Sequence, residues 1–298
     1  MRKLSICIVL LFVPVPAIAQ VDFAGDWRAV QHEDTFRRGG VVVGEFVGIP
    51  LTPGGRVRAE SWLASQLTVP EHQCIPHPVT YAEHSFAMNQ MRVWNVVNPE
   101  TAQIVAIRKR GTWMEPERTI WMDGRSHPSA EAPHTWQGFS TGRWDGHQLV
   151  VTTTHIKAGH LQMNGVALSD EATMTEYFTR RGNYLTNVTI LHDPVYLTEA
   201  FIRSSTWQLD PTLRFTRYPC GPNEIVVEIP RPANTFPHIL PGQNTMLDEF
   251  AWRYGAPVEA ASGGAETMYP EYVQHIRTAR IPPRKPGTSG ASATNPAR

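Results

Sequence analysis

The chain has 298 residues, which is enough to bury a sizeable core. It carries 27 Lys and Arg against 27 Asp and Glu, so its formal net charge is zero and neither nucleic acid nor an anionic membrane is expected as a partner. The 22 glycines and 25 prolines exceed the usual combined share of roughly 12%, which predicts many turns and argues against a helical bundle.

The N-terminal 19 residues have the three parts of a secretory signal. Arg2 and Lys3 form a basic start, residues 4–13 are an apolar run, and residues 17–19 (Ala-Ile-Ala) are a cleavage site. The apolar run is too short for a bilayer, which argues against the alternative of an N-terminal anchor, and no later stretch approaches the length of a membrane span. The sequence therefore predicts removal of residues 1–19 and a periplasmic or secreted protein.

Cys74 and Cys220 are the cysteines that remain once Cys7 leaves with the signal. An even number of cysteines in an oxidising compartment favours a disulfide between them over two free thiols. The bond would close a long loop and contribute ~4–5 kcal/mol to stability. Neither cysteine lies in a C-x-x-C or nucleophile motif, so a catalytic thiol is the less favoured alternative.

The first part of the chain mixes strand, helix and loop patterns. Residues 22–30 are typical of a strand, and residues 41–49 form a second apolar, β-branched stretch. Apolar side chains at i, i+3, i+4 and i+8 predict a helix over residues 56–67. Three prolines make residues 69–82 a predicted ordered loop.

From residue 88 the pattern becomes one of short strands and tight turns. Asp145-Gly146 and Arg181-Gly182-Asn183 are hairpin turns in which glycine suits a positive φ. About ten close-set strands result, over residues 90–97, 102–110, 118–122, 138–144, 148–156, 172–180, 184–191, 200–209, 213–218 and 224–229. The sequence therefore predicts an all-β, mainly antiparallel meander that closes into a barrel, because closure removes exposed edges. A β-sandwich or an open, strongly bent sheet is the alternative.

The character of the chain changes near residue 230. Residues 20–230 are predicted to form the barrel-like domain. Residues 231–280 are predicted to be a C-terminal helical extension packed on the barrel, with helices over 244–254 and 269–279. Residues 281–298 are rich in Pro, Gly, Ser and Ala and are predicted to be a disordered tail.

Two sets of motifs resemble known proteins. Residues 25–27 (Gly-Asp-Trp) resemble the G-x-W of lipocalins, in which the Trp closes one end of the barrel. DGRSHP at 123–128, TWQGFSTGRWDG at 135–146 and LVVTT at 149–153 resemble a large uncharacterised family of exported bacterial proteins, and residues 263–272 resemble a subgroup of it. The resemblance implies export and a lipocalin-like fold, and it carries over no catalytic residue.

His155 and Glu176 are the principal catalytic candidates. Alternation along residues 148–156 and 172–180 places each of them on the more apolar face of its strand. If the two strands pair, both faces look into one interior, where an apolar environment raises the pKa of a carboxyl group and suits acid–base catalysis. The alternatives are that each is a hydrogen-bonded core residue, or that a one-residue register shift reverses the faces.

Asp123, Arg125 and His127 complete the catalytic candidates, in a loop predicted at the barrel mouth. Arg125 would orient an anionic or carbonyl oxygen, and His127 would move protons. A purely structural turn at Asp123 is the alternative. Glu83 and His84 follow the proline-rich loop and could face the same opening.

Candidates for ligand contact are aromatic or polar residues on or beside the strands: Trp121, Trp136, Arg143, Tyr177 and His160. No cofactor is predicted. A zinc site at His155 and His160 is the alternative, although their spacing matches neither a strand pair nor a helix pair of ligands. The G-x-S-x-G letters at residues 138–142 lack the strand-to-helix turn of a nucleophile motif, and no nucleotide-binding loop occurs.

These observations leave the function open between three classes. The first is an exported enzyme that performs cofactor-free acid–base chemistry (isomerisation, hydration, elimination or hydrolysis) on an apolar or aromatic small molecule. His155 and Glu176 would exchange protons, and Arg125 would stabilise negative charge. The second is a carrier or sensor that binds such a ligand without reaction. The third is an accessory protein of an exported complex, docked through its C-terminal helices.

We expect the mature protein to contain no free thiol, because Cys74 and Cys220 are predicted to be bonded to each other. Thiol titration of the protein denatured without reductant checks this. The same sample after reduction is the control and should titrate two thiols. Two free thiols before reduction would contradict the prediction.

Overall fold

The computed structural model describes the chain over residues 21–30, 46, 48–61, 77–86, 90–112, 116–161, 165–215, 248, 251–252, 255–262 and 265–279. Several predictions concern residues outside these ranges: the signal at 1–19, the strand at 224–229, the tail at 281–298, and the pairing of Cys74 with Cys220. These stay predictions.

A closed barrel of nine strands dominates the described residues. Its strands are β1 Gly25–Val30, β2 Gln90–Val97, β3 Ile104–Gly111, β4 Glu117–Trp121, β5 Phe139–Asp145, β6 Gln148–Thr154, β9 Thr173–Arg181, β10 Tyr184–His192 and β11 Phe201–Leu209. Around the barrel they follow the order β1-β11-β10-β9-β6-β5-β4-β3-β2. A separate two-stranded sheet holds β7 Gly159–His160 and β8 Ala167–Leu168. The all-β barrel of about ten strands is therefore confirmed.

Strand β1 closes the barrel, because it pairs with both ends of the series. Trp27 lies opposite Met91 of β2 on one side and Leu209 of β11 on the other. Both pairings are antiparallel, and they leave neither β2 nor β11 as an exposed edge.

The barrel departs from a sequential antiparallel meander at one pair of strands. Strands β4 and β5 are parallel, with Ile120 opposite Ser140, because the intervening loop returns the chain to the end at which β4 began. Strand β6 pairs antiparallel with β9, the next barrel strand along the chain, and β7 and β8 between them form their own small sheet. The predicted strand at 213–218 is absent from residues 213–215, which lie outside any strand.

The helices of the described residues are short, and they lie either between β1 and β2 or after β11 in the chain. They are α1 Pro53–Glu60, α2 Val79–Phe86, α3 Val258–Ser262 and α4 Pro270–Thr278, with a 3₁₀ turn at Ala265–Met268. Helix α4 agrees with the prediction for residues 269–279. Helix α1 begins before the predicted residue 56, because the Thr52 hydroxyl oxygen accepts a hydrogen bond from the Gly55 N–H at 3.1 Å and caps the helix.

Helix α2 corrects the prediction of an ordered loop over residues 69–82. Its first backbone N–H, that of Val79, donates to the carbonyl oxygen of Trp136 at 2.8 Å, so this end of the helix is satisfied by the loop before β5. Val79, Ala82 and Glu83 are all buried. The helix therefore belongs to the core of the barrel and not to its surface.

The two ends of the barrel differ, and we name them by what lies there. The hairpin end carries the β5–β6 and β9–β10 turns, and the helix end carries α2. The hairpin-end cluster consists of the buried residues Phe23, Trp27, Ala82, Met91, Val93, Ile107, Ile120, Leu149, Val151, Phe178, Leu185 and Trp207. The helix-end cluster consists of Phe46, Ile49, Leu51, Ala59, Val79, Ile156, Leu161, Val166, Leu168, Ala172, Met174, Leu191 and Leu197.

Trp27 of the Gly-Asp-Trp motif is completely buried in the hairpin-end cluster. Its indole Nε1 donates to the carbonyl oxygen of Phe23 at 3.0 Å. The guanidinium of Arg180 lies 5.3 Å from its ring centroid and donates to the carbonyl oxygens of Asp22 and Gly182. The Trp thus packs the barrel near one end, while Arg180 ties the segment before β1 to the β9–β10 turn.

Candidate functional site

A layer of charged and polar side chains crosses the barrel interior between the two apolar clusters. Along β9, β10 and β11 the inward positions run from the helix-end cluster through polar residues to the hairpin-end cluster. We call this set the charge layer: Glu83, Lys109, Arg118, Ser140, Thr153, Glu176, Asn187, Thr189 and Arg203. Its four central charged residues, Glu83, Lys109, Arg118 and Glu176, are each at most 2% exposed.

Arg118 is the centre of the charge layer, because its guanidinium bridges both carboxylates. Its Nη1 donates to Glu83 Oε1 at 2.8 Å and its Nη2 donates to Glu176 Oε2 at 2.5 Å. The Nη2 also donates to Thr153 Oγ1 at 2.7 Å, and the Nε donates to Ser140 Oγ at 3.1 Å. The guanidinium therefore joins α2 to strands β4, β5, β6 and β9 in one bonded group.

Lys109 and Asn187 complete the coordination of the two carboxylates. The Lys109 Nζ lies 2.8 Å from Glu83 Oε1 and 2.7 Å from Glu83 Oε2. The Asn187 Nδ2 donates to Glu176 Oε1 at 3.0 Å. All four carboxylate oxygens of the two glutamates consequently accept at least one hydrogen bond.

The electrostatics of the charge layer favour ionised groups. Burial by itself would raise the pKa of Glu83, but the adjacent positive charges of Lys109 and Arg118 outweigh burial and bring it below the usual 4.5. Burial likewise opposes the charged form of Arg118, and the two glutamates outweigh it, so the pKa of Arg118 is raised. Glu83 is therefore an ionised, fully bonded carboxylate and not a poised proton donor.

Glu176 lies inside the barrel, as alternation predicted, and its strand pairs with β6, which was the condition for a shared interior with His155. His155 does not follow the alternation. Strand β6 ends at Thr154, and His155 has a φ of 56°, a left-handed backbone that redirects its side chain. His155 and Glu176 consequently belong to different hydrogen-bonded groups, and the expected proton-exchanging pair is not formed.

His155 instead joins His127 at the end of β6. The Thr154 Oγ1 lies 2.7 Å from His127 Nδ1 and 2.7 Å from His155 Nδ1. A hydroxyl has one hydrogen, so Thr154 donates to one ring and accepts from the other, which couples the tautomers of the two histidines. His155 Nε2 lies 2.8 Å from the carbonyl oxygen of Ser129, so the pair holds the β4–β5 loop against β6.

His127 is held on both ring nitrogens. Its Nε2 lies 2.8 Å from Thr141 Oγ1, and its ring meets Phe139 edge-on with centroids 5.3 Å apart. Burial lowers the pKa of His127 below its usual 6.5, and the charge of His155 lowers it further. The group therefore favours a neutral His127.

Asp123 and Arg125 form a self-contained pair on the outside of the barrel. Arg125 Nε lies 2.9 Å from Asp123 Oδ1, and its Nη2 lies 2.5 Å from Asp123 Oδ2. The guanidinium also lies 3.6 Å from the ring centroid of Trp121. Arg125 is thus directed at its own loop and at Trp121, away from Glu176.

A cavity of about 230 Å³ lies at the hairpin end. Its apolar wall consists of Val21, Phe23, Ile104, Ile107, Met122 and Trp144. Asp22, Asn95 and Arg143 supply polar groups, and Gly124 and Gly142 complete the lining. A Cβ on Gly142 would lie 2.5 Å from the Met122 sulfur, so the absence of a side chain there allows Met122 to form this wall.

A second, very small void of about 10 Å³ lies within the hairpin-end cluster. Phe23 and Ile107 line both this void and the larger cavity, and Lys109 lines the void. Phe23 and Ile107 are therefore shared by the cavity and by a void that reaches the charge layer at Lys109.

Of the predicted ligand contacts, Arg143 lines the cavity and the others lie elsewhere. The half-buried Trp121 packs on Arg125, and Trp136 lies 4.6 Å from the Lys157 Nζ. Tyr177 alternates with the inward Glu176 and so faces outward, and His160 lies in the small β7–β8 sheet.

Sequence reasoning missed Lys109 and Arg118, although one signal was present. Arg108, Lys109 and Arg110 are consecutive on β3, and successive side chains of a strand point to opposite faces. Three consecutive cations in a barrel strand therefore require at least one to point inward, where it needs an anionic partner, and a buried acid of the chain is the first candidate.

Comparisons with protein-family models, curated proteins and solved structures give no match. In the described ranges, no helix is both long and apolar enough to cross a membrane. The same ranges contain no group of three or more His, Cys, Asp or Glu residues that could hold a metal ion.

We expect Glu83→Gln to lower the free energy of unfolding by ~3–5 kcal/mol, because it leaves two buried cations with reduced compensation. Urea unfolding at neutral pH measures this. Since the pKa of Glu83 is lowered, its contribution is present above pH 4.5 and is lost as the pH falls through the folded-state value. The variant should therefore lose less stability than the wild type on acidification.

Glu117→Gln is the matched control for this change. Glu117 pairs with Arg108, but both side chains are substantially exposed, so its loss should cost less than ~1 kcal/mol. Equal losses in the two variants would contradict a central role for Glu83.

We expect the melting temperature to fall as the pH drops below 6.5, in part through His127. A histidine whose folded-state pKa is lowered is protonated more readily in the unfolded chain, so its contribution is complete above 6.5 and is lost on acidification. His127→Gln should reduce the slope of the melting temperature against pH below pH 6.5. The exposed His147, changed to Gln, is the control, and an unchanged slope in both variants would contradict the assignment.

Proposed function

We propose that this protein binds an apolar or aromatic small molecule in the cavity at the hairpin end of its barrel. The observation that carries the proposal is the cavity itself, which has apolar walls and a few polar groups at one end of a closed scaffold. Concave, mostly apolar sites with few polar groups are the usual form of small-molecule sites, and the ends of β-barrels are a common location.

The size and lining of the cavity restrict the ligand. About 230 Å³ is below the roughly 300–1,000 Å³ of pockets for drug-sized molecules, which favours a single-ring aromatic compound or a short terpenoid. Phe23 and Trp144 have ring centroids 5.3 Å apart and offer aromatic surfaces to such a ligand. The exposed Arg143 favours a ligand whose polar group remains at the mouth.

The proposal is binding without reaction, in a protein exported by the signal at residues 1–19. The bonding of Glu83 and Glu176 supports this, because both carboxylates are already engaged by cations and amide groups. Membership of the exported, lipocalin-like family is part of the same proposal and rests on the sequence motifs.

Catalysis is the second candidate, and one observation favours it. Phe23 and Ile107 line both the cavity and the void that reaches Lys109, so a movement of these side chains could bring a charged group within reach of the ligand. In that case Lys109 and Glu83, rather than His155 and Glu176, would be nearest to the ligand.

Isothermal titration calorimetry with indole and with geraniol tests the proposal, because it measures the affinity of each compound for the protein. We expect Ile104→Trp to weaken binding by about tenfold or more, because the larger side chain fills the cavity that Ile104 lines. Ile202→Trp is the matched control, since Ile202 is 62% exposed on β11. Equal affinities in both variants would contradict the site, and recovery of a chemically altered compound would support catalysis over carriage.

A further inference from the structure

We propose that the charge layer binds a small monovalent anion, of the carboxylate or halide class, beside Arg203. This site is separate from the cavity at the hairpin end, whose lining does not include Arg203. It rests on other observations than the proposed function.

Arg203 enters the charge layer through the register of three strands. It lies opposite Thr189 of β10, and Thr189 lies opposite Glu176 of β9. On its own strand Arg203 is two residues from the buried Ser205 and four from the buried Trp207, so it shares their inward face. The Arg203 side chain therefore lies at the same height along the barrel axis as Glu176.

The charges of this layer do not balance among the described residues. Lys109, Arg118 and Arg203 are three cations, against the two carboxylates of Glu83 and Glu176. Hydrogen bonds from Lys109, Arg118 and Asn187 already reach all four carboxylate oxygens. In the described part of the chain, the enclosed Nε of Arg203 has no hydrogen-bond partner.

Arg203 nevertheless keeps its charge at neutral pH. Burial lowers its pKa to about 10, although Glu83 and Glu176 both act to raise it. A cation without a paired anion destabilises the folded state when it lies in a barrel interior. A small anion that pairs with Arg203 would therefore offset a large part of this destabilisation.

Neighbouring polar groups fit an anion that carries a hydration water. The amide of Asn187 is oriented by its donation to Glu176 and to Thr189, and its Oδ1 is buried without a partner in the described structure. Asn187 lies opposite Ser205, one inward position from Arg203. A water bound to the anion can donate to Asn187 Oδ1, while the anion itself accepts from Arg203.

Arg203 also differs from its neighbours in access. The four central charged residues of the layer are sealed, whereas Arg203 keeps part of its surface exposed. A small solute can therefore approach this residue without opening the bonded group around Arg118.

The test is thermal unfolding of the full chain in increasing sodium acetate or sodium chloride, at constant ionic strength. We expect the wild-type melting temperature to rise by about 5 °C once the anion concentration far exceeds the dissociation constant, and to keep rising with its logarithm, as binding linkage requires. Arg203→Met should abolish this rise. Arg214→Met, which removes an exposed arginine, should behave like the wild type.

The outcomes separate the two anion sources. A rise with acetate alone supports a carboxylate ligand, and a rise with chloride alone or with both supports a halide-sized site. Equal rises in the wild type and Arg203→Met would overturn the proposal. If Arg203→Met does not fold, bromide or bromoacetate soaked into separate wild-type crystals must give an anomalous peak beside Arg203 in at least one case, and the absence of a peak from both would overturn the proposal.

Discussion

The bridge from Arg118 to Glu83 and Glu176 is the interaction on which the interior of this protein depends. A guanidinium in an apolar core is tolerated only when carboxylates and hydroxyl groups satisfy it, and here it has four such partners. Because Glu83 comes from α2 and Glu176 from β9, the bridge fixes a helix inside the barrel as well as two distant strands to each other. The removal of Arg118 or of either carboxylate would leave buried charge with reduced compensation.

The bridge also explains why the two ends of the barrel differ. Glu83 holds helix α2 at the helix end. Val79 of this helix packs in the helix-end cluster, and Ala82 packs in the hairpin-end cluster. In the described part of the chain, no helix enters the barrel at the hairpin end, and a cavity there is lined by Phe23, Trp144 and residues of β3. The position of the proposed ligand site thus follows from which end the helix occupies.

Two hydrogen-bonded groups of this protein have separate structural roles. The charge layer is inside the barrel and joins α2 to the strands. The group of His127, Thr154 and His155 lies at the end of β6 and fastens the β4–β5 loop, whose course makes β4 and β5 parallel. The catalytic candidates are therefore dispersed: Glu176 lies in the first group, the two histidines lie in the second, and Asp123 and Arg125 form a pair outside both.

The sequence by itself determined the barrel, the hairpin turns at Gly146 and Gly182, and the inward position of Glu176, because strand alternation and glycine conformation are local properties. Tertiary structure alone decided the partners of Glu176 and the role of Glu83. Lys109 and Arg118 meet Glu83 from 26 and 35 residues away, and Glu83 itself directly follows a segment that local patterns mark as a loop. The left-handed backbone at His155 likewise depends on its contacts with Thr154 and Ser129, so alternation could not place it. Closure of the barrel brings distant charged residues into contact, and closure depends on the whole chain and not on local sequence patterns.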